Sequence, residues 1–476
     1  MQRSFHIESL GCAKNQVDSE TIIALLVADG WHEAPPEEAD VIIVNSCGFI
    51  APAKKESIDT AFGFRSAFPG SVVVMAGCLS QRYATELAQQ MPELDGVFGN
   101  RDLAGIGAFL DLIAGTPRRR ESGTDPAVGS RIETDTSVTP PAPRVAGVEA
   151  GDGPAAAGVF DDRRRLLSSA GSVYIKVADG CDNSCAFCAI PLIRGRLRSR
   201  DSDTIVAEAR LFVSRGIKEI NLIAQDLGSY GRDTRDGREI VGLVRRLLEI
   251  PGEFWIRPLY VYPDRFPTEL LRVMGEDHRV VPYFDIPMQH ASTRVLRAMG
   301  RPGDRASHLE LIRRIRDELP DAVVRTSLIV GFPGEDDDAF RELSEFVAEA
   351  RVEWLGVFEY SAEEGTPAYR ASRGRTRVAR RVAQQRRSEL ETIQTEILGE
   401  RLDRFVGREI DVLVEEPVVG EKLALGRGFM HAPEVDGAVV LRYAGEDPRP
   451  GRFVRARIVR RNGVDFEAVV LPREAT

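Results

Sequence analysis

The chain has 476 residues and carries 63 Lys+Arg against 73 Asp+Glu, a formal net charge of −10; that balance excludes a protein that clamps nucleic acid mainly by charge and would attract a basic partner. Its length implies about two to four domains. No stretch reaches the apolar length of a membrane span, and Met1–Leu10 has neither a long apolar core nor a small-residue cleavage site, so a cytoplasmic location is expected.

The first hundred residues alternate apolar runs with amphipathic stretches. Phe5–Leu10, Val41–Val44 and Val72–Met75 read as strands; Val17–Ala28, Pro52–Phe64 and Ser80–Gln90 read as helices. Such alternation predicts a parallel sheet with crossover helices. Cys12, Cys47 and Cys78 then fall just past the carboxyl ends of three strands, which in an open α/β sheet form the ligand-binding rim. A single buried cysteine is usually packing, but three in one topological slot are a candidate site.

From Thr116 to about Ala170 the texture changes. Arg118–Arg120 is basic, Thr139–Pro143 is proline-rich and Ala146–Gly158 mixes Gly and Ala with acids, so a flexible linker is expected. Arg163–Arg165 reads as a solvated run rather than a partner contact. Beyond it, strands are expected at Val173–Val177, Glu219–Ala224, Trp255–Val261, Tyr283–Pro287, Val323–Val330 and Leu355–Tyr360. Helices are expected between them at Asp203–Ser214, Val241–Leu248, Thr268–Met274, His308–Leu319 and Asp338–Ala350. Six βα repeats predict a partial or full barrel, whose function gathers at the carboxyl ends of its strands. Gln225 and Gln289 sit at such tips, expected either to face the cavity or to be satisfied polar groups at its mouth.

Arg375–Leu402 reads as a connecting helix, and the tail as short alternating strands such as Ile410–Val414, Ala438–Tyr443 and Phe453–Val459, turned by Gly420, Gly437 and Gly451. A small antiparallel β-barrel is expected there. Its 12 basic and 12 acidic residues from Arg404 to Thr476 cancel, whereas an RNA-gripping barrel is more often basic. The fold class is thus α/β in sequence: an open parallel sheet (1–115), a linker (116–170), a (βα)6 partial barrel with its connecting helix (171–402) and a small antiparallel barrel (403–476).

The six cysteines form two sets of three, Cys12, Cys47, Cys78 and Cys181, Cys185, Cys188. A reducing compartment and a chain too long to need staples argue against disulfides. Structural zinc normally takes four ligands, and both sets stop at three. Three thiolates on an iron–sulfur cluster leave one iron open for chemistry. The polar Asp182, Asn183 and Ser184 favour a loop around the second set.

Cys181-Asp-Asn-Ser-Cys185-Ala-Phe-Cys188 resembles the signature of the radical S-adenosylmethionine superfamily, where an aromatic residue, here Phe187, precedes the last cysteine. The resemblance implies that the open iron chelates the amino and carboxylate groups of S-adenosylmethionine, and that an electron releases a 5′-deoxyadenosyl radical. It further implies that the strand Val323–Val330 and Gly331-Phe-Pro-Gly334-Glu335 serve the adenosine moiety, with Ser327, Ile329 and Gly331 as contacts; alone, Gly-Phe-Pro-Gly is only a turn. Across nearly the whole chain except the linker, the sequence is similar to the methylthiotransferases. The motifs are Ser9-Leu-Gly-Cys12-Ala-Lys-Asn-Gln-Val-Asp-Ser-Glu20, Asn45-Ser-Cys47-Gly-Phe-Ile50, Ala189-Ile-Pro-Leu-Ile-Arg-Gly195 and Arg198-Ser-Arg200.

Gln289-His-Ala-Ser292 and Ala432-Pro-Glu-Val-Asp-Gly437 resemble the branch acting on an aspartate of the twelfth small-subunit ribosomal protein; the tRNA branch more often has Gln-Ser-Gly-Ser at the first. His431 departs from that branch, which often has Asp there. The resemblance implies two four-iron clusters, the first cysteine set holding an auxiliary one that delivers sulfur. It also implies S-adenosylmethionine as methyl donor and radical source, an electron donor, and a TRAM-like barrel open to RNA contact. A tRNA adenosine methylthiotransferase is the alternative enzyme. A metal-stabilised RNA-binding adaptor is the alternative class.

Overall fold

The computed structural model describes residues 3–114, 143–148, 165–374 and 376–472. The chain forms two compact units, Met1–Leu166 with Leu192–Arg194, and Leu167–Pro191 with Gly195–Thr476.

In the first unit, β1 (Ser4–Ser9), α1 (Ala13–Ala28), β2 (His32–Glu33), β3 (Val41–Ser46), α2 (Ala51–Ala67), β4 (Val72–Ala76), α3 (Gly77–Gln90), β5 (Gly96–Phe98), α4 (Ile106–Ala114) and β6 (Arg144–Ala146) follow in order. The six strands make a parallel sheet, ordered β2-β1-β3-β4-β5-β6. Every residue of β3 is buried, because crossover helices cover both faces of a parallel sheet; Val41–Val44 are apolar, and the buried Asn45 and Ser46 side chains bond Asn15, Ser19 and Ala76. The helix α1 starts four residues before the expected Val17: Lys14 and Asn15 look like surface residues in the sequence but are buried. The short β2, β5 and β6 lacked a run long enough to read. Arg144–Ala146 falls within the stretch expected to be linker, yet pairs along β5 as an edge strand. Of that stretch, 116–142 and 149–164 lie outside the described residues, and Arg165 pairs with Glu33.

The second unit is built on six parallel strands: Ser172–Lys176, Glu219–Ile223, Trp255–Pro258, Tyr283–Asp285, Val323–Val330 and Trp354–Glu359. They pair as two three-stranded sheets, joined through an Ile256–Val280 bridge and a Val261 N–H to Asp285 carbonyl bond of 2.9 Å. The result is a curved partial barrel with all six expected strands within a few residues of their predicted bounds. The connecting helix, Arg380–Asp403, packs on the outer strand Trp354–Glu359. Five strands from Glu409 to Val470 then close into a barrel. One correction applies to the expected antiparallel pattern: Val439–Arg442 pairs parallel with Asp465–Val470, because the intervening strand Phe453–Asn462 crosses over to pair with Glu409–Pro417 before the chain returns.

The small barrel docks on the larger one through buried charge. Glu219 receives Arg257 at 2.8 Å and Arg427 at 2.6 Å, and Asp436 takes Arg325 at 2.7 Å and the Tyr283 hydroxyl at 2.6 Å. His431 is fully buried between the Trp354 and Phe466 rings. Burial lowers its pKa to about 3, so it serves here as a neutral packing residue.

Candidate cluster and cofactor sites

In the first unit, β1, β3 and β4 are neighbours, so their carboxyl ends place Cys12, Cys47 and Cys78 on one rim. Cys12 is the N-cap of α1, with an extended backbone and no side-chain capping bond, and its thiol is exposed. Cys47 directly follows β3, and its N–H donates to Ser57 Oγ at 2.9 Å. Cys78 is the second residue of α3 and is buried. A Cβ on Gly11, whose φ is +94°, would lie 2.9 Å from Cys47 Cβ and 3.2 Å from its sulfur; only glycine leaves that space open.

Cys78 Sγ has the richest surroundings. Asn100 Nδ2 and an Arg194 guanidinium nitrogen donate to it, each at 3.3 Å, and the thiol itself donates to Asn15 Oδ1 at 3.2 Å. The same Arg194 nitrogen also bonds Asn15 at 2.9 Å and Asp18 at 2.8 Å, so its two hydrogens are shared among three acceptors. Burial, opposed by Arg194, pushes the Cys78 thiol up to about 12. Burial also raises Cys47.

In the second unit the triad loop follows the strand Ser172–Lys176. Gly180, at φ +71°, lets the loop pass Arg196, whose carbonyl oxygen would be 2.0 Å from a Cβ there. Cys188 N–H closes a turn on Cys185 at 3.1 Å, and Ala186 is clamped by backbone bonds to Met299 at 2.8 Å and Ala368 at 2.9 Å. Arg301, buried over the Tyr262 ring at 4.0 Å and paired with Asp264 at 3.2 Å, reaches Cys185 Sγ at 3.8 Å. Backbone N–H groups of Asn183 and Ile190 approach the Cys181 and Cys188 sulfurs at 3.4 and 3.5 Å. Burial raises Cys185, and pushes Cys181 to about 11 and Cys188 to about 12.

Among the described residues no three Cys, His, Asp or Glu close on a single metal ion. A four-iron cluster spreads its thiolate ligands wider than one ion does. Each set does offer only soft thiol donors, with N–H groups aimed at sulfur, and both features suit an anionic cluster.

The remaining predicted residues divide. Phe187 and Ile329 pack against one apolar cluster of Val295, Met299, Phe332, Ala339 and Ala368. Gln289, at φ +69°, donates its N–H to the Ser327 carbonyl at 2.9 Å and accepts from Ile329 N–H at 2.8 Å. Gly331 lines a cleft of about 530 Å³ with Pro333, Glu359, Tyr360, Arg373 and Arg377. That volume suits a small-molecule ligand. Gln225 stands apart, its Oε1 buried without a hydrogen-bond partner.

Sequence reasoning missed the second layer: Asn15, Asp18, Asn100 and Arg194 around Cys78, Arg301 at Cys185, and Glu335. Asn15, Asp18 and Arg194 lie inside the quoted motifs and could have been singled out there; nothing local flags Arg301. Glu335 is buried, accepts from the Gly331 and Phe332 N–H groups and faces Arg386 at 3.4 Å. Burial, opposed by Arg386, lifts its carboxyl to about 7. The folded value lies above the unfolded carboxylate range, so its stabilising contribution is complete below about pH 4 and fades as pH rises through about 7. At pH 5 the folded Glu335 is the neutral acid, which Gln mimics, so Glu335→Gln should melt close to wild type there. By pH 8 the wild type loses this contribution and the variant does not, so the variant should gain roughly 2–4 °C on it, the size of a 1 kcal/mol effect in a domain of this scale. Paired melts at the two pH values check it, and a constant gap would contradict the assignment.

Three families match in succession: uncharacterized protein family UPF0004 over residues 4–99, the radical SAM superfamily over 175–347 and the TRAM domain over 406–471. A solved radical S-adenosylmethionine methyltransferase, TsrM from Kitasatospora setae, shares the fold at a TM-score of 0.53 and 14% identity, over 77% of this chain and 74% of that one. Partial barrel, triad loop and superfamily match together define a radical S-adenosylmethionine enzyme, a class that works with a four-iron cluster. Relatives named ribosomal protein uS12 methylthiotransferase RimO narrow it. That of Treponema denticola is 40% identical over 97% of this chain and 99% of its own. Those of Acetivibrio thermocellus, 36% over 99% of both chains, and Thermotoga maritima, 39% over 92% and 94%, agree. The chain belongs to this family of uS12 methylthiotransferases.

Proposed function

We propose that the enzyme methylthiolates the β-carbon of one aspartate of the ribosomal protein uS12, and that it holds two four-iron clusters. Cys181, Cys185 and Cys188 ligate the radical cluster; Cys12, Cys47 and Cys78 ligate an auxiliary one. When bound, the first supplies the electron that cleaves S-adenosylmethionine, and the second supplies the sulfur. One S-adenosylmethionine furnishes the methyl group, and another yields the radical that removes a β-hydrogen from the aspartate. The observation carrying this reading is the pair of three-thiol sites, each one ligand short of a closed tetrahedral set and each fringed by N–H donors.

The chain's own residues bind and shield. Phe187 and Ile329 form an apolar wall behind the triad, Arg301 offsets thiolate charge at Cys185, and Gln225, Gln289, Ser327 and Gly331 receive S-adenosylmethionine. Glu335 fixes the Gly331–Phe332 turn. An electron donor is required, the reaction is cytoplasmic, and the C-terminal barrel contributes RNA contact when the substrate sits in a ribosomal subunit. Among the described residues no helix is long and apolar enough to cross a membrane.

The test is to incubate reconstituted enzyme with reductant and S-adenosylmethionine, offering uS12 and bulk tRNA in parallel, and to take mass spectra of both. A methylthio gain on one aspartate of uS12 is expected. A gain on tRNA adenosine instead would overturn the substrate and keep the chemistry.

A further inference from the structure

We propose that Arg194 and Asn100 set the reduction potential of the auxiliary cluster by donating hydrogen bonds to its Cys78 ligand. This rests on the reading that Cys12, Cys47 and Cys78 hold such a cluster. The geometry is specific: two side-chain donors from different parts of the chain, one a guanidinium and one an amide, converge on a single sulfur at 3.3 Å each. The guanidinium is held against the sulfur by Asp18, 2.8 Å away with both side chains only 2% exposed, and one Arg194 nitrogen shares its two hydrogens among Asp18, Asn15 and Cys78 Sγ.

The partners hold that aim. Asn15 is anchored by its Nδ2 to the Leu10 and Ser46 carbonyls at 3.0 and 2.9 Å, and its Oδ1 orients Arg194. N–H donation to a ligating sulfur withdraws charge from it, so an added electron costs less and the potential rises; hydrogen bonds to sulfur and local charge are among the main levers on such clusters. Cys12, by contrast, is exposed, and Cys47 takes a backbone N–H from Phe49. The Cys78 corner is the one where two side chains donate to the sulfur.

The experiment uses the full chain carrying Cys181→Ala, Cys185→Ala and Cys188→Ala, so that any cluster reconstituted is the auxiliary one. Iron and sulfide are counted, then the midpoint potential is read by an electron-paramagnetic-resonance-monitored redox titration. Arg194→Gln should shift the midpoint to lower potential, and Arg194→Lys should recover part of the shift, since it restores charge without the planar fork. Asn100→Leu, of similar size and leaving the Arg194–Asp18 pair intact, should shift it the same way; this variant decides the matter if Arg194→Gln does not fold. A cluster that assembles with an unchanged midpoint in Asn100→Leu overturns the proposal. A parent that binds no iron overturns instead the two-cluster reading beneath it.

Discussion

A chain with Cys185→Ala should release no 5′-deoxyadenosine above background, while Cys47→Ala should still release it but add no methylthio group to uS12. The asymmetry follows from what each thiol touches. Cys185 is buried beside Arg301 at 3.8 Å, one of the three proposed ligands on a tight loop, and on that reading its loss leaves the four-iron cluster only two thiolates. Arg301 keeps Asp264 and the Tyr262 ring in the variant, so the fold should survive and loss of cleavage is a loss of cluster. The Cys47 backbone N–H bonds Ser57, a contact that Ala keeps, so the first unit's rim should stay in place. Iron per chain should fall by about half in either variant if two like clusters are present. Chromatography of the nucleoside and mass spectrometry of uS12 read the two outcomes separately. Full product from Cys47→Ala would sink the division of labour between the two cysteine sets.

The placement of Cys12, Cys47 and Cys78 was legible because β/α alternation converts sequence position into place: a residue just past a parallel strand lies on the ligand-binding rim whatever its distance along the chain. The supporting shell was not legible. Arg301 reaches Cys185 from 116 residues away, and no local pattern distinguishes it from the many surface arginines. The tail shows the same limit in two forms. Reading strands in order assumes that neighbours in sequence pair, so the parallel closure of Val439–Arg442 on Asp465–Val470 was invisible. Its neutral charge was legible, and the structure shows one reason: Arg455 and Arg457 lie against Asp411 and Glu409 at 3.4 and 2.6 Å, on strands that pair across the barrel wall. His431, a departure from the family pattern in sequence, proves to be a packing residue.

Glu219→Gln should be the most destabilising single change in the second unit away from the clusters, by about 3–5 kcal/mol, the usual cost of breaking a buried ion pair from one side. Glu219 lies within a central strand, fully buried. Its two oxygens take bonds from Arg257, Arg427 and the Ser172 hydroxyl. Burial alone would raise its carboxyl, but the two guanidiniums prevail and hold it down at about 2. That value lies below the unfolded range, so the stabilisation is complete above about pH 4.5 and is lost as pH falls toward 2. Glutamine would turn an amide donor toward groups that are themselves donors and strand two buried cations, with only Glu415 left near Arg427 at 2.6 Å. Because Arg427 and His431 belong to the small barrel, the first consequence should be its release, read as early proteolytic cleavage near the connecting helix and a lower melting transition. Replacing Glu219, Arg257 and Arg427 together with Leu, Leu and Met should restore most of the loss, since well-packed apolar groups often match a buried ionic cluster. If the triple variant melts as low as the single one, these residues matter by shape and bonding to their other partners. If the single variant melts with wild type, the buried charge is not what joins the two barrels.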